Sequence, residues 1–597
     1  MKNKMLNLTK SALAVLIVFA ASLSISTLAS AGPRAYRAYN NLYLSVQDSS
    51  STGLKTVVAD SQRIGPSQSF ENPIIGGDQA QLKTSDGFYL SVIDFNSGLM
   101  GAIQTSTPGP NETFRLVSLD PFYTTWAFAA ANGKYLRITA QPDGKWVLEA
   151  TATSTSIKQA QFKRIWLNGE PVAIRHQYPE KYLRAYDDGT LKFDSNRIGA
   201  DETFYRVNLL DGTFAYRSKK NGLYFSAEDG LGLVTASKDH IDDWELFDHF
   251  QTTAKNDYLH TYYGMLLGTA SKTSDLLSGV GKTKDLTTML KVVELNGRRV
   301  ALKTQSGNYV TLDAEAQQPL KAETIQIPSE AVMNLVDLGY LDSLAANAVA
   351  IKLSNGKYLT ALNGGGTSVG TTATAVDSWE IFKVVSKPNG VLSFRTSDKK
   401  HYLQAASGGG SSVNVTGTQS GQWESFEVVD LEGKKVILQN SNTLKDNRCV
   451  RTIGLADEAS LAMNPEVGGN QAGIWCSFDY IEIPYIQPDG SKVVKGVFRN
   501  TEGNYLTASN GGGEAFEINS DHINVWELFT LNDWGSANSP VRTVSISTLD
   551  QHFWRIVYPA DSTQVSEVTA QTKLIQNGTS FLMRQFLRPN YIQLMKP

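Results

Sequence analysis

Apolar and polar residues alternate with a period of two in short bursts along nearly the whole chain, with glycine, asparagine or serine between the bursts. Residues 348–386 show the pattern: "AVAIKLS" alternates, "NGKYLTA" and "TSVGTTA" follow, and "SWEIFKVV" closes a fourth run. Short alternating runs predict β-strands with one buried face, and the Gly, Asn and Ser between them predict tight reversals. No stretch sustains a helical period, so the expected fold class is all-β.

The four-run phrase recurs. Aligned on the aromatic of its "YL" step, it falls at Tyr43, Tyr89, Tyr135, Tyr182, Tyr224, Tyr309, Tyr358, Tyr402 and Tyr505, with worn copies near Leu266, Val450 and Phe553. These make twelve four-stranded units at a mean spacing of about 46 residues, a period typical of repeat architectures. The turns Leu167-Asn168-Gly169, Leu210-Asp211-Gly212, Leu295-Asn296-Gly297 and Leu431-Glu432-Gly433 fall between the closing strand of one unit and the opening strand of the next. Asn-Gly and Asp-Gly accept the positive φ that such reversals need.

Two further marks sit inside the units. The fourth strand carries W-E-x-F at Trp244–Phe247, Trp379–Phe382, Trp423–Phe426 and Trp526–Phe529, reduced to E-T-F at Glu112–Phe114 and Glu202–Phe204. The phenylalanines are expected to point inward and stack as core. The glutamates occupy equivalent positions of separate units and so cannot meet in pairs across one glycosidic bond. Runs of three glycines follow Asn363, Ser407 and Asn510.

Twelve such units close either in threes, as four β-trefoils, or in sixes, as two propellers, and spacing alone does not choose. "GKYLTALNGGG" followed by "SWEIF", and "GNYLTASNGGG" followed by "VWELF", resemble fascin-like β-trefoil repeats of the secreted bacterial type. The resemblance covers nearly the whole chain after its leader and implies four tandem β-trefoil domains, at 32–168, 169–297, 298–433 and 434–597. It also implies a habit of binding, to carbohydrate in the bacterial relatives and to actin filaments in the fascins, and supplies no catalytic residue.

The first residues carry a different pattern. Lys2, Lys4 and Lys10 precede an apolar run from Ala12 to Ala21, and Ala29-Ser30-Ala31 offers small residues for cleavage, so 1–31 is expected to be a signal peptide and the protein secreted or periplasmic. No later run has the length of a membrane span. Without the leader 52 basic residues face 58 acidic ones, a formal charge of −6. That balance is unfavourable for nucleic acid and for an acidic filament such as actin.

Candidate chemistry is sparse. Gly366-Thr367-Ser368-Val369-Gly370 matches G-x-S-x-G, but this serine opens a β-run, whereas a nucleophile elbow stands between a strand and a helix. The seven histidines show no metal-ligand spacing, and no metal or cofactor is expected. Cys449 and Cys476 fit either one disulfide or two buried thiols. The glycine turns offer two readings: tight strand connections, or shallow polar pockets built on Asn363, Gly364, Ser407, Asn510 and Gly511. Trp126, Trp146, Trp166, Trp475, Trp534 and Trp554 lie outside the W-E-x-F motif, and any that are exposed would serve as stacking platforms for sugar rings. The expected function is non-enzymatic recognition of a polysaccharide or cell-surface glycan. A protein-filament cross-linker is the alternative, and a carbohydrate-active enzyme the third choice.

Overall fold

A computed structural model describes residues 32–586 apart from short internal stretches, the longest of them 441–449, 464–476 and 558–566. The expected leader 1–31 and both Cys449 and Cys476 lie outside the described residues. Among the described residues the chain is β-strand, turn and short 3-10 turns, with no α-helix.

Strand pairing closes into rings, most clearly between Arg298 and Asp430. Six strands, Arg298–Thr304, Met333–Leu341, Ala346–Lys352, Ile381–Ser386, Val391–Arg395 and Phe426–Asp430, pair antiparallel each with the next. The last then returns to the first, running from Val300 opposite Asp430 to Thr304 opposite Phe426. A closed sheet leaves no edge strand to be capped. Three hairpins cover one end, Tyr309–Leu312 with Leu320–Thr324, Tyr358–Ala361 with Val369–Ala373, and Tyr402–Ala405 with Val413–Gly417. The "YL" aromatic thus begins the first strand of each hairpin. A six-stranded barrel with three hairpins is a β-trefoil-like arrangement.

The same closure recurs in three other stretches. Arg34 pairs with Trp166 in the first, Val172 with Glu294 in the second and Lys435 with Phe586 in the last. In that last ring Gly496 and Phe529 complete one join by exchanging both backbone hydrogen bonds at 2.8 Å. Each ring encloses its own apolar core. Phe247, Phe382, Phe426 and Phe529 are all fully buried in these cores, as the inward reading of the fourth strand requires. In the last barrel Trp554 sits among Phe498, Phe516 and Phe529 with ring centroids 4.7–5.2 Å apart.

Successive barrels meet at seams built from equivalent positions. Ile64 and Ile241 exchange backbone hydrogen bonds at 3.0 and 2.9 Å, as do Ile198 with Val376 and Ile327 with Ile523. Each bridge joins the first unit of one barrel to the second unit of the next. Around each lies a small apolar cluster holding two "YL" tyrosines: Tyr43 and Tyr224, Tyr182 and Tyr358, Tyr309 and Tyr505. Burial pushes the Tyr43 and Tyr182 phenols up to about 12. A cation then reaches across each seam: Arg37 to Asp211 at 2.5 Å, Arg175 to the Tyr340 carbonyl at 2.8 Å, and Lys303 to the Pro484 carbonyl at 3.2 Å.

Candidate functional site

The W-E-x-F glutamates are the starting point, because they fix everything around them. Glu380 accepts from the Thr360 hydroxyl at 2.7 Å with one oxygen and from the Asp377 amide at 2.9 Å with the other. Glu527 does the same with Thr507 and Asn524, and Glu112 with Ser91 and Gly109. Glu202 takes Arg184 and the Gly199 amide. Even the first unit obeys the rule through Gln68, which accepts from the Gly65 amide at 2.9 Å and donates to Ser45 at 3.0 Å. Each side chain caps the turn that starts three residues before it and ties that turn to the hairpin of its own unit. These buried carboxylates are therefore structural clasps.

With Glu turned to the hairpin and Phe to the core, the tryptophan of the motif has only solvent left. Trp244, Trp379, Trp423 and Trp526 are 36–49% exposed. Their carbonyls accept from the residue just before the glycine turn, for example Ala361 to Trp379 at 2.8 Å and Ala405 to Trp423 at 2.9 Å. The indoles consequently lie against those turns: a Cβ on Gly364 would stand 3.6 Å from Trp379 Nε1, and one on Gly408 3.2 Å from Trp423 Cδ1.

The three glycine turns share one conformation. Asn363, Ser407 and Asn510 are left-handed, with φ of 59°, 57° and 56°, a region that short polar side chains tolerate better than others. Their side chains are exposed, whereas Gly364, Gly408 and Gly511 are buried. The buried glycine's carbonyl accepts from a neighbouring unit of the same barrel: Gly364 from the Asp398 amide at 3.4 Å, Gly408 from Ser306 Oγ at 2.7 Å, Gly511 from Thr548 Oγ1 at 2.6 Å. The next glycine is pressed still closer, since a Cβ on Gly409 would fall 2.2 Å from Ser306 Oγ and one on Gly365 2.8 Å from Asp398 Oδ2. The glycines thus allow neighbouring units to approach. What they leave at the surface is an exposed indole beside an exposed Asn or Ser.

Asp398 and His401 form a hydrogen-bonded pair under the first of these turns, at 2.5 Å. Burial alone would raise the Asp398 carboxyl, but the amides of Lys400 and His401, the Thr396 hydroxyl and the His401 ring outweigh it and hold it down at about 2. Ser368 immediately precedes the strand Val369–Ala373 and bridges to Asn414; no hydrogen bond joins it to His401, and no helix follows it.

The predicted positions are therefore distributed over separate units. Asn363 with Gly364 and Ser407 lie in the third barrel, and Asn510 with Gly511 in the fourth. Of the six tryptophans outside the motif, Trp126 and Trp554 are 1% exposed core residues, Trp146 and Trp166 are half-buried, and Trp475 and Trp534 lie outside the described residues. Among the described residues the exposed tryptophans are those of the motif itself. Their spacing held the signal, because a three-residue turn cannot aim Trp, Glu and Phe the same way.

Among the described residues no three His, Cys, Asp or Glu side chains are placed to hold a metal, and no helix is long and apolar enough to cross a membrane. No family model matches the sequence, and no curated protein matches it. Among solved structures the chain is similar to a mosquitocidal holotoxin at 9% identity and a TM-score of 0.26, covering 93% of this chain and 69% of that one. It is also similar to ThreeFoil, a designed 3-fold symmetric protein, at 17% identity and a TM-score of 0.20, covering 22% of this chain and 97% of that one. Neither superposition carries weight at these scores; the ring closures carry the fold.

Proposed function

We propose that the chain is an exported, non-enzymatic binding protein for carbohydrate polymers, built as four tandem β-trefoils with borders near 168, 297 and 433. The observation that carries this reading is the pairing of an exposed indole with a left-handed Asn or Ser at Trp379 and Asn363, Trp423 and Ser407, and Trp526 and Asn510. An indole face packs on the apolar C–H face of a pyranose, and a neighbouring amide or hydroxyl meets its hydroxyl groups. Each site is shallow and weak alone. Several on one rigid array gain avidity when the ligand is a polymer long enough to span them.

Pull-down of the full chain on a panel of soluble and insoluble polysaccharides tests this. At least one polymer should retain it, with stepwise loss as Trp379→Ala, Trp423→Ala and Trp526→Ala are combined. Undiminished retention of the triple variant would sink the reading. So would failure on every polysaccharide together with co-sedimentation with protein filaments, the outcome expected of a cross-linker.

A further inference from the structure

The exposed indoles share one scaffold but differ in what faces them. At each glycine turn a neighbouring unit presents the turn that precedes its own hairpin: 306–308 at Gly408 beside Trp423, 550–552 at Gly511 beside Trp526, and 396–401 at Gly364 beside Trp379. Ser306, Gly307 and Asn308 are neutral, and Asp550, Gln551 and His552 include one acid and no lysine. The turn at Trp379 reads Asp398-Lys399-Lys400-His401. A Cβ on Gly364 would stand 3.6 Å from Trp379 Nε1 and 3.8 Å from Asp398 Cβ, so the indole and this turn flank the same glycine.

Asp398 fixes the turn from within. Its carboxylate accepts from the Thr396 hydroxyl at 2.7 Å and from the Lys400 and His401 amides at 2.8 and 3.1 Å, besides the His401 ring. Its charge is therefore taken up locally and leaves the two lysines alone. Lys399 and Lys400 are exposed, and neither ammonium has an ion pair or a hydrogen bond among the described residues. Lys399 is also held left-handed at φ 63°, where the equivalent places before other hairpins are glycines, as at Gly307, Gly356 and Gly503. That backbone region is costly for a residue with a Cβ and free for glycine. Residues kept under such strain cluster at ligand-binding and switch regions.

An exposed indole, a left-handed Asn363 and two unpaired ammonium groups on the facing turn together describe a sugar ring that carries an anion. We propose that the Trp379 site selects an anionic sugar, a uronic acid or a sulfated residue, with its ring on Trp379, its hydroxyl groups on Asn363 and its carboxylate or sulfate on Lys399 and Lys400. The proposal rests on the carbohydrate reading above and adds the chemical class that one of its sites takes. After the leader the chain carries a formal −6, so the attraction is local to this turn and acts within about 10 Å at ordinary ionic strength. The facing turns at Trp423 and Trp526 offer no such charge.

Isothermal titration of the full chain with oligogalacturonate against its methyl ester, and with dextran sulfate against dextran, tests the proposal. At least one charged form should bind about tenfold or more tightly than its neutral twin, the worth of one charge-assisted contact. The pair that shows the preference tells carboxylate from sulfate. Lys399→Gly combined with Lys400→Gln should abolish the preference, whereas Lys158→Gln, at an exposed lysine of the first barrel, should leave it. The melting temperature of Lys399→Gly should be no lower than the parent's, because glycine takes φ 63° freely. Equal binding of charged and neutral forms, or an unchanged preference in the double variant, would overturn the proposal and leave the carbohydrate reading standing. A preference lost only together with a fall in melting temperature would overturn it too, by reducing the turn to a structural part. Failure of all four ligands to bind would remove the carbohydrate reading along with it.

Discussion

Ser306 Oγ donates to the Gly408 carbonyl at 2.7 Å, across 102 residues of sequence. It thereby joins the first unit of the third barrel to the third. The corresponding contacts of Gly364 and Gly511 run from the second unit to the third. One polar contact is thus used around a pseudo-threefold ring, and the glycine runs exist to permit it.

Gly409→Ala should therefore destabilise the protein by roughly 3 kcal/mol, combining a left-handed φ with a clash that a packed neighbour must absorb. The new Cβ would stand 2.2 Å from Ser306 Oγ and 2.6 Å from Thr304 Oγ1, at φ 123°. Gly410→Ala meets only Asn308 Nδ2 at 3.9 Å and should cost about 1 kcal/mol from φ alone. Urea denaturation of the two variants separates contact from conformation; equal midpoints would refute the account.

Trp379 and Phe382 stand three residues apart and should behave oppositely. Phe382→Ala empties a fully buried core position and should cost about 3–5 kcal/mol. Trp379→Ala, at 44% exposure, should cost about 1 kcal/mol or less while reducing polysaccharide retention. Thermal melts beside pull-downs read both effects.

Ile198→Asp places a charge in the seam between the second and third barrels, where Ile198 is 2% exposed and bridges Val376. We expect a loss of roughly 3 kcal/mol, confined to that seam. Calorimetry should show the second and third barrels melting less cooperatively, while each ring keeps its own core. A single transition shifted as a whole would mean that the seams do not act as separate units.

Asp257 is fully buried in the second barrel, 3.0 Å from His249 Nε2, 2.8 Å from the Val292 amide and 3.6 Å from Lys291 Nζ. Burial would raise its carboxyl, but His249, Lys291 and the amide outweigh it and hold it below the ordinary value. A pKa lower folded than unfolded gives stability that is present above about pH 4 and is lost as the pH falls through the folded value. Asp257→Asn should cost about 3 kcal/mol at neutral pH. The gap between parent and variant should narrow below about pH 4 in denaturation curves, and a gap that widened there would contradict the assignment.

The strands were legible because alternation is a local property: each run between Ala348 and Ser386 needs only its own pleat. Closure was not, since a 46-residue interval serves a blade as well as a trefoil unit, and the choice lies in pairs such as Val300 with Asp430. The runs of three glycines marked turns, but the left-handed φ of Asn363, Ser407 and Asn510 just before them emerged only from the structure. The exposure of the motif's tryptophans was not legible, because Trp379 sits inside an apolar motif whose neighbours Glu380 and Phe382 take the inward directions. The seams were invisible: Ile64 and Ile241 lie far apart in sequence, and nothing in either segment names the other.

Those seams carry a mechanical consequence. Because the same bridge, tyrosine pair and cation recur three times, the step from barrel to barrel is repeated, and Trp244, Trp379 and Trp526, each three residues beyond a bridging residue, advance by that step. Any long partner held by several of these tryptophans at once would have to reach from one seam to the next.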